Sequence, residues 1–369
     1  MAPSSLLWET LDVFDKSEEH DSSATEPGTN RRGVTLKRLA ETIGLSPGTV
    51  SVVLNNTPRA ASIPVETRNR ILEAAEKLNY RPHYFARSLR ANQSFTIGVM
   101  VSELAGGYCA MVLNGIESAL TKQGYFYLVT SHFHRDDLLE HNPRMLIERQ
   151  VDGIIAVDSQ IRFAFNSPVV SVAGHEEIKG ITNVVLNHHT AAELGIGHLF
   201  DLGHRRFAFI QGQDFSSDTE VRWETVMAAA RRRGITVDDR LVAQLEGDSG
   251  SPELGYVAAK KILSQGKPFT ALVAFNDISA IGAIRALQEA GLRVPEDVSV
   301  LGFDDIFAAE FHNPALTTIR QPLFEMGVLA GETLLKAISK RNTLDEPPRT
   351  LTVEPDLIVR KSTSICKNS

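Results

Sequence analysis

The stretch Thr35-Leu36-Lys37-Arg38-Leu39-Ala40-Glu41-Thr42-Ile43-Gly44-Leu45-Ser46-Pro47-Gly48-Thr49-Val50-Ser51-Val52-Val53-Leu54-Asn55 decides the reading of this chain. Leu36, Leu39 and Ala40 are spaced to form one apolar face of a short helix, and Val50, Val53 and Leu54 repeat that spacing on a second. Gly44 stands where the chain must turn, and Leu45 can plug the angle between the helices. Ser46 can cap the second helix, and Pro47 suits its first position, where a missing N–H costs nothing. This is helix-turn-helix grammar, in which the second helix lies in a DNA major groove. An ordinary helical hairpin shares the spacing, so the surroundings must decide. A third helix is predicted over 64–79, with Ile71, Ala74, Ala75 and Leu78 on one face. Pro82 stops it, and a short helix carrying Arg87 and Arg90 can start beyond.

Charge is segregated around this module. Residues 31–92 hold 11 Lys/Arg against 4 Asp/Glu, whereas residues 1–30 hold 1 against 7. The remainder is also acidic, at 26 against 34, and the whole chain has a formal charge of −7. A basic patch confined to the helix-turn-helix segment is what phosphate binding requires. Acidic charge elsewhere discourages the rest of the molecule from lying on DNA.

From about residue 95 the chain alternates strand and helix. Strands are predicted at 97–101, 125–130, 153–157 and 169–172, with helices at 111–123 and 145–150. A second set begins with a helix at 191 and has strands at 206–210, 241–245, 271–274 and 298–301. Its other helices are predicted at 222–233, 252–263 and 279–290. Two such sets imply two α/β lobes, each a doubly wound parallel sheet, with a ligand cleft at the strand C-termini.

Composition narrows the class. A chain of 369 residues with 43% hydrophobic content suggests two or three domains with sizeable cores. No apolar run is long enough to span a bilayer, so no membrane association is expected. The first thirty residues lack a secretion signal and read as a disordered acidic tail. Cys109 and Cys366 lie far apart and suggest no disulfide framework. A cytoplasmic protein is expected.

Several blocks carry a family resemblance. They are Thr49-Val50-Ser51, Val53-Leu54-Asn55, Glu66-Thr67-Arg68, Asn79-Tyr80-Arg81-Pro82 and Ala86-Arg87-Ser88-Leu89. They continue with Thr96-Ile97-Gly98-Val99, Asp152-Gly153-Ile154-Ile155, Leu202-Gly203-His204-Arg205-Arg206, Asn276-Asp277 and the run from Val294 to Asp305. In this order they resemble the lactose/galactose repressor family over roughly residues 33 to 360. The resemblance implies a transcriptional regulator, most simply a repressor, that binds a palindromic double-stranded DNA operator as a homodimer. It implies a small-molecule effector, sugar-like or nucleobase-like, and a two-lobed core similar to periplasmic binding proteins. No cofactor, metal or catalysis is implied. The expected layout is a tail at 1–32, a headpiece at 33–81, a hinge at 82–94, a core at 95–360 and a flexible C-terminus at 361–369. Crossovers between lobes are expected near 187, 306 and 346, and dimer contacts on the helices at 111–123 and 279–290.

The resemblance also assigns residues. Pro47, Gly48, Ser51 and Val52 face base edges. Here the chain departs from relatives that carry polar residues, often an arginine at the place of Val52. Pro47 and Gly48 lack side-chain donors, and Val52 offers only apolar contact, such as with a thymine methyl. More readout must then come from DNA shape. Thr35, Ser46, Thr49 and Asn55 go to phosphates or to caps. In the hinge, Leu89 is the wedge that enters the minor groove, Ala86 allows two hinge helices to approach, and Arg87 belongs to the same block. Arg222, Asn276, Asp277 and Tyr108 are the expected effector contacts. For Asp277, capping the next helix is an equal alternative, and for Tyr108 ordinary packing is favoured by a small margin. Departures at Ser249, Thr225, Val226 and Cys109 leave the effector open. His132, His134, His188 and His189 show no metal-ligand spacing and are expected to be solvated loop residues.

Two other classes share the fold. A solute-binding protein is disfavoured by the basic headpiece and missing export signal. An enzyme is disfavoured because no Gly-x-Gly-x-x-Gly, phosphate loop or nucleophile–base pair is present.

Overall fold

The computed structural model describes residues 34–55, 58–80, 88, 93–104, 107–162, 165–248, 250–340 and 346–367. It divides into two compact units between residues 87 and 88. The expected acidic tail and the hinge residues Ala86, Arg87 and Leu89 lie outside the described residues, as does Ser249.

The smaller unit is helical. Helix α1 (Leu36–Thr42) starts where Thr35 Oγ1 accepts the Arg38 amide at 3.2 Å. The chain turns at Gly44, whose φ of +68° is left-handed and unstrained only for glycine. Ser46 Oγ accepts the Thr49 amide at 3.1 Å and opens α2 (Pro47–Leu54), with Pro47 in its first turn. A 3-10 turn (Pro58–Ser62) leads to α3 (Val65–Lys77). Leu39, Ala40, Val50, Val53, Ile71 and Ala75 interlock as the core of all three helices. Arg70 donates to the Ile43 carbonyl at 2.8 Å, placing a cation at the C-terminal end of α1.

The larger unit holds two six-stranded sheets. The first lobe contains β1 (Thr96–Val101), β2 (Phe126–Ser131), β3 (Gly153–Val157), β4 (Val169–Val172), β5 (Ile181–Leu186) and β11 (Arg349–Val353). Its order is β11-β5-β4-β3-β1-β2, parallel throughout. The second contains β6 (Phe207–Gln211), β7 (Val242–Gln244), β8 (Ala271–Val273), β9 (Ser299–Asp304), β10 (Thr317–Arg320) and β12 (Asp356–Ile358). Its order is β12-β10-β9-β8-β6-β7, with only β12 antiparallel. Strands β1, β3, β4 and β9 are buried along their whole length, as continuous apolar runs in a sheet covered on both faces require.

Helices α4 (Gly107–Lys122), α5 (Asp136–Glu148) and α11 (Leu323–Lys340) cover the first sheet. Helices α6 (His188–Asp201), α7 (Asp218–Arg232), α8 (Pro252–Ser264), α9 (Asp277–Glu289) and the short α10 (Phe307–Phe311) cover the second. The chain therefore leaves the first lobe at Asn187, returns at 321–322 and leaves again at 354–355. The crossovers expected near 306 and 346 fall later, because α10, β10 and β11 each stay with the lobe of the preceding segment. The expectation of a flexible C-terminus at 361–369 is also corrected. Ser362 is fully buried, its hydroxyl accepting the Thr317 amide and its carbonyl the Val300 amide, both at 2.8 Å. The Cys366 amide donates to Leu202 at 2.8 Å, so this segment is strapped to the second lobe.

In α9, Ser279, Ala280, Gly282, Ala283, Ile284, Ala286 and Leu287 are buried against α8 and the sheet, while Ile281 is half-buried and Arg285, Gln288 and Glu289 are exposed on its other side. Helix α4 packs on α11 but keeps Ala110, Asn114 and Glu117 exposed. The large exposed apolar side chains include Phe307 and Phe311, one turn apart on α10 and 75% and 81% exposed.

Candidate functional site

In the helical unit, Ser46, Pro47 and Gly48 are exposed at the start of α2, and Thr49, Ser51 and Val52 are half-buried beside them. Thr35 and Asn55 are exposed. The capping expectation for Thr35 and Ser46 matches their geometry. Asn55 Nδ2 donates to Ser51 Oγ at 3.1 Å and to the Ser51 carbonyl at 2.7 Å, closing the end of α2. Ser46 Oγ also lies 2.9 Å from Thr49 Oγ1. Caps at both ends fix which way this two-turn helix presents its N-terminus, where anions are favoured.

In the two-lobed unit, a cavity of about 770 Å³, including space open to solvent, lies between the lobes. Its walls come from the C-terminal ends of parallel strands. Ser102 and Glu103 follow β1, His134 follows β2 and Asp158 follows β3. From the second lobe, Gln213, Phe215 and Ser216 follow β6, Phe275 and Asn276 follow β8, and Asp304 and Ile306 end and follow β9. Loops at this edge are where a doubly wound sheet places its ligand. Gly107, at the start of α4, lets the lobes meet closely: a Cβ there would sit 2.8 Å from Ile306 Cβ and Cγ2.

Arg222 is central, and 6% exposed. Its guanidinium carbon lies 4.4 Å from the Phe275 ring centre and 3.8 Å from that of Phe303. It donates to the Phe275 carbonyl at 2.6 Å and to Asp218 Oδ2 at 2.7 Å, and its Nε has no partner. The other oxygen of Asp218 meets His175 Nε2 at 2.7 Å and His188 Nε2 at 3.2 Å. Burial alone would raise this carboxyl, but His188, His175 and Arg222 hold it well below the usual carboxylate range. His175 follows β4 of the first lobe, so this cluster bridges the cleft.

A second bridge starts at Asp158, which accepts from Ser217 Oγ at 3.1 Å and from Ser216 Oγ at 3.4 Å. Burial and then Asp218 raise its carboxyl, against the Ser217 hydrogen bond. A third is the stack of His134 on Phe215, ring centres 3.6 Å apart. Asp304 accepts from Gln321 Nε2 at 2.7 Å, and burial pushes it up to about 7 despite Arg222 and that bond.

Of the expected effector contacts, Tyr108, Arg222 and Asn276 line the cavity and Asp277 does not. Tyr108 Oη is buried without a partner. The side-chain oxygen of Asn276 accepts the Ser279 amide at 2.9 Å, so Asn276, not Asp277, caps α9. Asp277 is fully buried, accepting Thr318 Oγ1 at 2.6 Å and the Ile306 amide at 2.9 Å. Its carboxyl group is used up in holding the cavity wall from behind. The expectation of solvated loop histidines is likewise corrected. His132 is buried with Nε2 at 2.8 Å from Ser159 Oγ, and burial lowers it to about 4. His188 is buried on Asp218, and only His189 is exposed.

His175, His188 and Asp218 bring ligand-type atoms within 4.8 Å of one another. The contact of 2.7 Å between His175 and Asp218 is a hydrogen-bond length, and Arg222 sits on the same carboxylate. A cation beside the carboxylate and a satisfied hydrogen bond both oppose a metal ion there.

Two family descriptions match the chain: bacterial regulatory proteins of the lacI family over residues 35–83, and a periplasmic binding protein-like domain over 196–363. The HTH-type transcriptional repressor PurR of Haemophilus influenzae is 33% identical over 335 residues, covering 89% of this chain and 98% of its own. This chain belongs to the LacI family. It is a DNA-binding transcription regulator with a helix-turn-helix headpiece and a periplasmic-binding-protein-like core. The solved lac repressor dimer bound to operator and the anti-inducer ONPF is similar, with a TM-score of 0.75 and 28% identity over 90% of this chain and all of that one. The complex of the transcriptional regulator CelR with cellobiose has a TM-score of 0.64 at 25% identity, over 89% of this chain and 99% of that one.

Sequence reasoning missed Glu103, Asp158, Asp218 and Asp304. Two of them carried a signal, an acid at the C-terminal end of an apolar run: Val157-Asp158 and Phe303-Asp304.

Proposed function

We propose that this family member binds a palindromic operator as a homodimer and that a small polar molecule held between its lobes sets its DNA affinity. The observation that carries the reading is the cavity itself. It joins Arg222, Asn276 and Tyr108 to carboxylates from both lobes, and its walls are cross-linked by Asp158–Ser217, His175–Asp218 and His134–Phe215. A ligand that replaces or strengthens those cross-lobe contacts changes the balance between open and closed arrangements, and only that difference can be transmitted. The arrangement then sets how the two hinges meet. Ala86 and Leu89 act there, with Leu89 wedging into the minor groove and Arg87 beside it on the DNA.

On the headpiece, Ser51 and Val52 face bases, while Thr35, Ser46, Thr49 and Asn55 serve phosphates and caps together. Pro47 and Gly48 bring the α2 backbone close to the groove. Pairing of two chains uses the outer face of α4 and the exposed Phe307 and Phe311. The Phe311→Asp variant is expected to sediment as a monomer and lose operator binding. An unchanged dimer would remove Phe311 from the interface. No turnover is expected, because the similar proteins are transcriptional repressors.

A further inference from the structure

The cavity between the lobes is lined by four carboxyl groups, of Glu103, Asp158, Asp218 and Asp304, and by one arginine. Arg222 is the only Lys or Arg among the described residues that line it. That guanidinium is committed, to Asp218 on one side and the Phe275 carbonyl on another. Glu103, Asp158 and Asp304 line the same space. Asp158 and Asp304 have only neutral donors, the hydroxyls of Ser216 and Ser217 for one and the Gln321 amide for the other. Glu103 takes the Gly250 backbone amide.

We infer that the effector is a small hydroxylated molecule carrying a protonated nitrogen. The inference rests on the reading of this cavity as the effector site. Asp304 is buried and Glu103 and Asp158 are half-buried beside an arginine already bonded elsewhere, and their charged forms are costly there unless a cation joins them. A neutral polyol would donate hydrogen bonds to them and leave the charge uncompensated. A phosphate or carboxylate would meet direct repulsion. The unpartnered Tyr108 Oη and Arg222 Nε supply separate hydrogen-bonding groups for hydroxyls. Tyr108, Phe215 and Phe275 also line the cavity with aromatic rings. Burial holds all three carboxyls above their usual range, Asp304 at about 7, and a bound cation would draw them down again.

The test needs no prior identification. A small-molecule extract of bacterial cells is passed over cation and anion exchangers at pH 7, and each fraction is added to the full-length protein. The readout is the shift in melting temperature. The fraction retained by the cation exchanger should stabilise the protein. The Asp158→Asn variant, folded by its own melting curve, should need about tenfold more of that fraction for half the shift. Stabilisation by the flow-through or the anionic fraction instead, or an unchanged response of the variant, overturns the inference. Stabilisation by no fraction overturns the reading of the cavity as an effector site, and the charge inference falls with it.

Discussion

Replacing Asp277 by Ala should destabilise the second lobe rather than simply erase the effector response. Asp277 is fully buried and accepts two hydrogen bonds, at 2.6 Å from Thr318 Oγ1 and at 2.9 Å from the Ile306 amide. Alanine would orphan both donors. Each unsatisfied buried group costs about 1–3 kcal/mol, and the missing side chain adds a small void. Removing a buried carboxyl returns part of this, so the net loss should be about 2–4 kcal/mol. The Asp277→Asn variant keeps one acceptor and should lose about 1 kcal/mol. Urea unfolding of the full-length protein at pH 7 reads both losses. The pH dependence adds a second check. Burial and then Asp304 raise the Asp277 carboxyl well above the usual range. The folded state therefore keeps a proton that the unfolded state has released, and Asp277 contributes a slope in which stability falls as pH rises above about 4. Both variants should lose that slope. A parent-like midpoint in Asp277→Ala, together with a lost effector response, would refute the structural assignment and return Asp277 to ligand contact.

Three further outcomes are expected. Asp304→Asn should flatten the fall in stability between about pH 4 and pH 7, because the parent carboxyl sits near 7 when folded and the unfolded one near 4; Asp218, held low, acts oppositely and only below pH 4, and an unchanged thermal-melt profile would count against the Asp304 shift. Gly107→Ala would put a Cβ 2.8 Å from Ile306 and so hinder the lobes from meeting; the effector response measured by DNA binding should drop several-fold with little change in melting temperature, and a normal response would mean that this contact does not limit closure. Leu89→Ala should weaken binding to the specific operator about tenfold or more while sparing salt-sensitive binding to random duplex; equal loss of both would remove the wedge.

The headpiece was legible in the sequence because its signals are local. Thr35, Gly44, Ser46 and Pro47 act within a few residues of where they stand, and all occupy their expected places. The two α/β lobes were legible from strand–helix alternation. The crossovers at 321–322 and 354–355 were not, because they depend on β10 pairing with β9 and β11 pairing with β5, contacts with no local mark. The cavity was half legible. Arg222, Asn276 and Tyr108 came from motif positions. Asp218 joins His175, which lies 43 residues away in the chain, and so no sequence window contains the pair. Asp277 misled for the same reason: its partners Ile306 and Thr318 are brought to it only by the folded sheet.

The most direct test of the account is selection of bound duplexes from a random DNA pool by the full-length protein, with and without the stabilising metabolite fraction. The account predicts enrichment of a palindrome with a flexible central step, at a level that the fraction changes at least several-fold. Enrichment of no common sequence in either condition would contradict it.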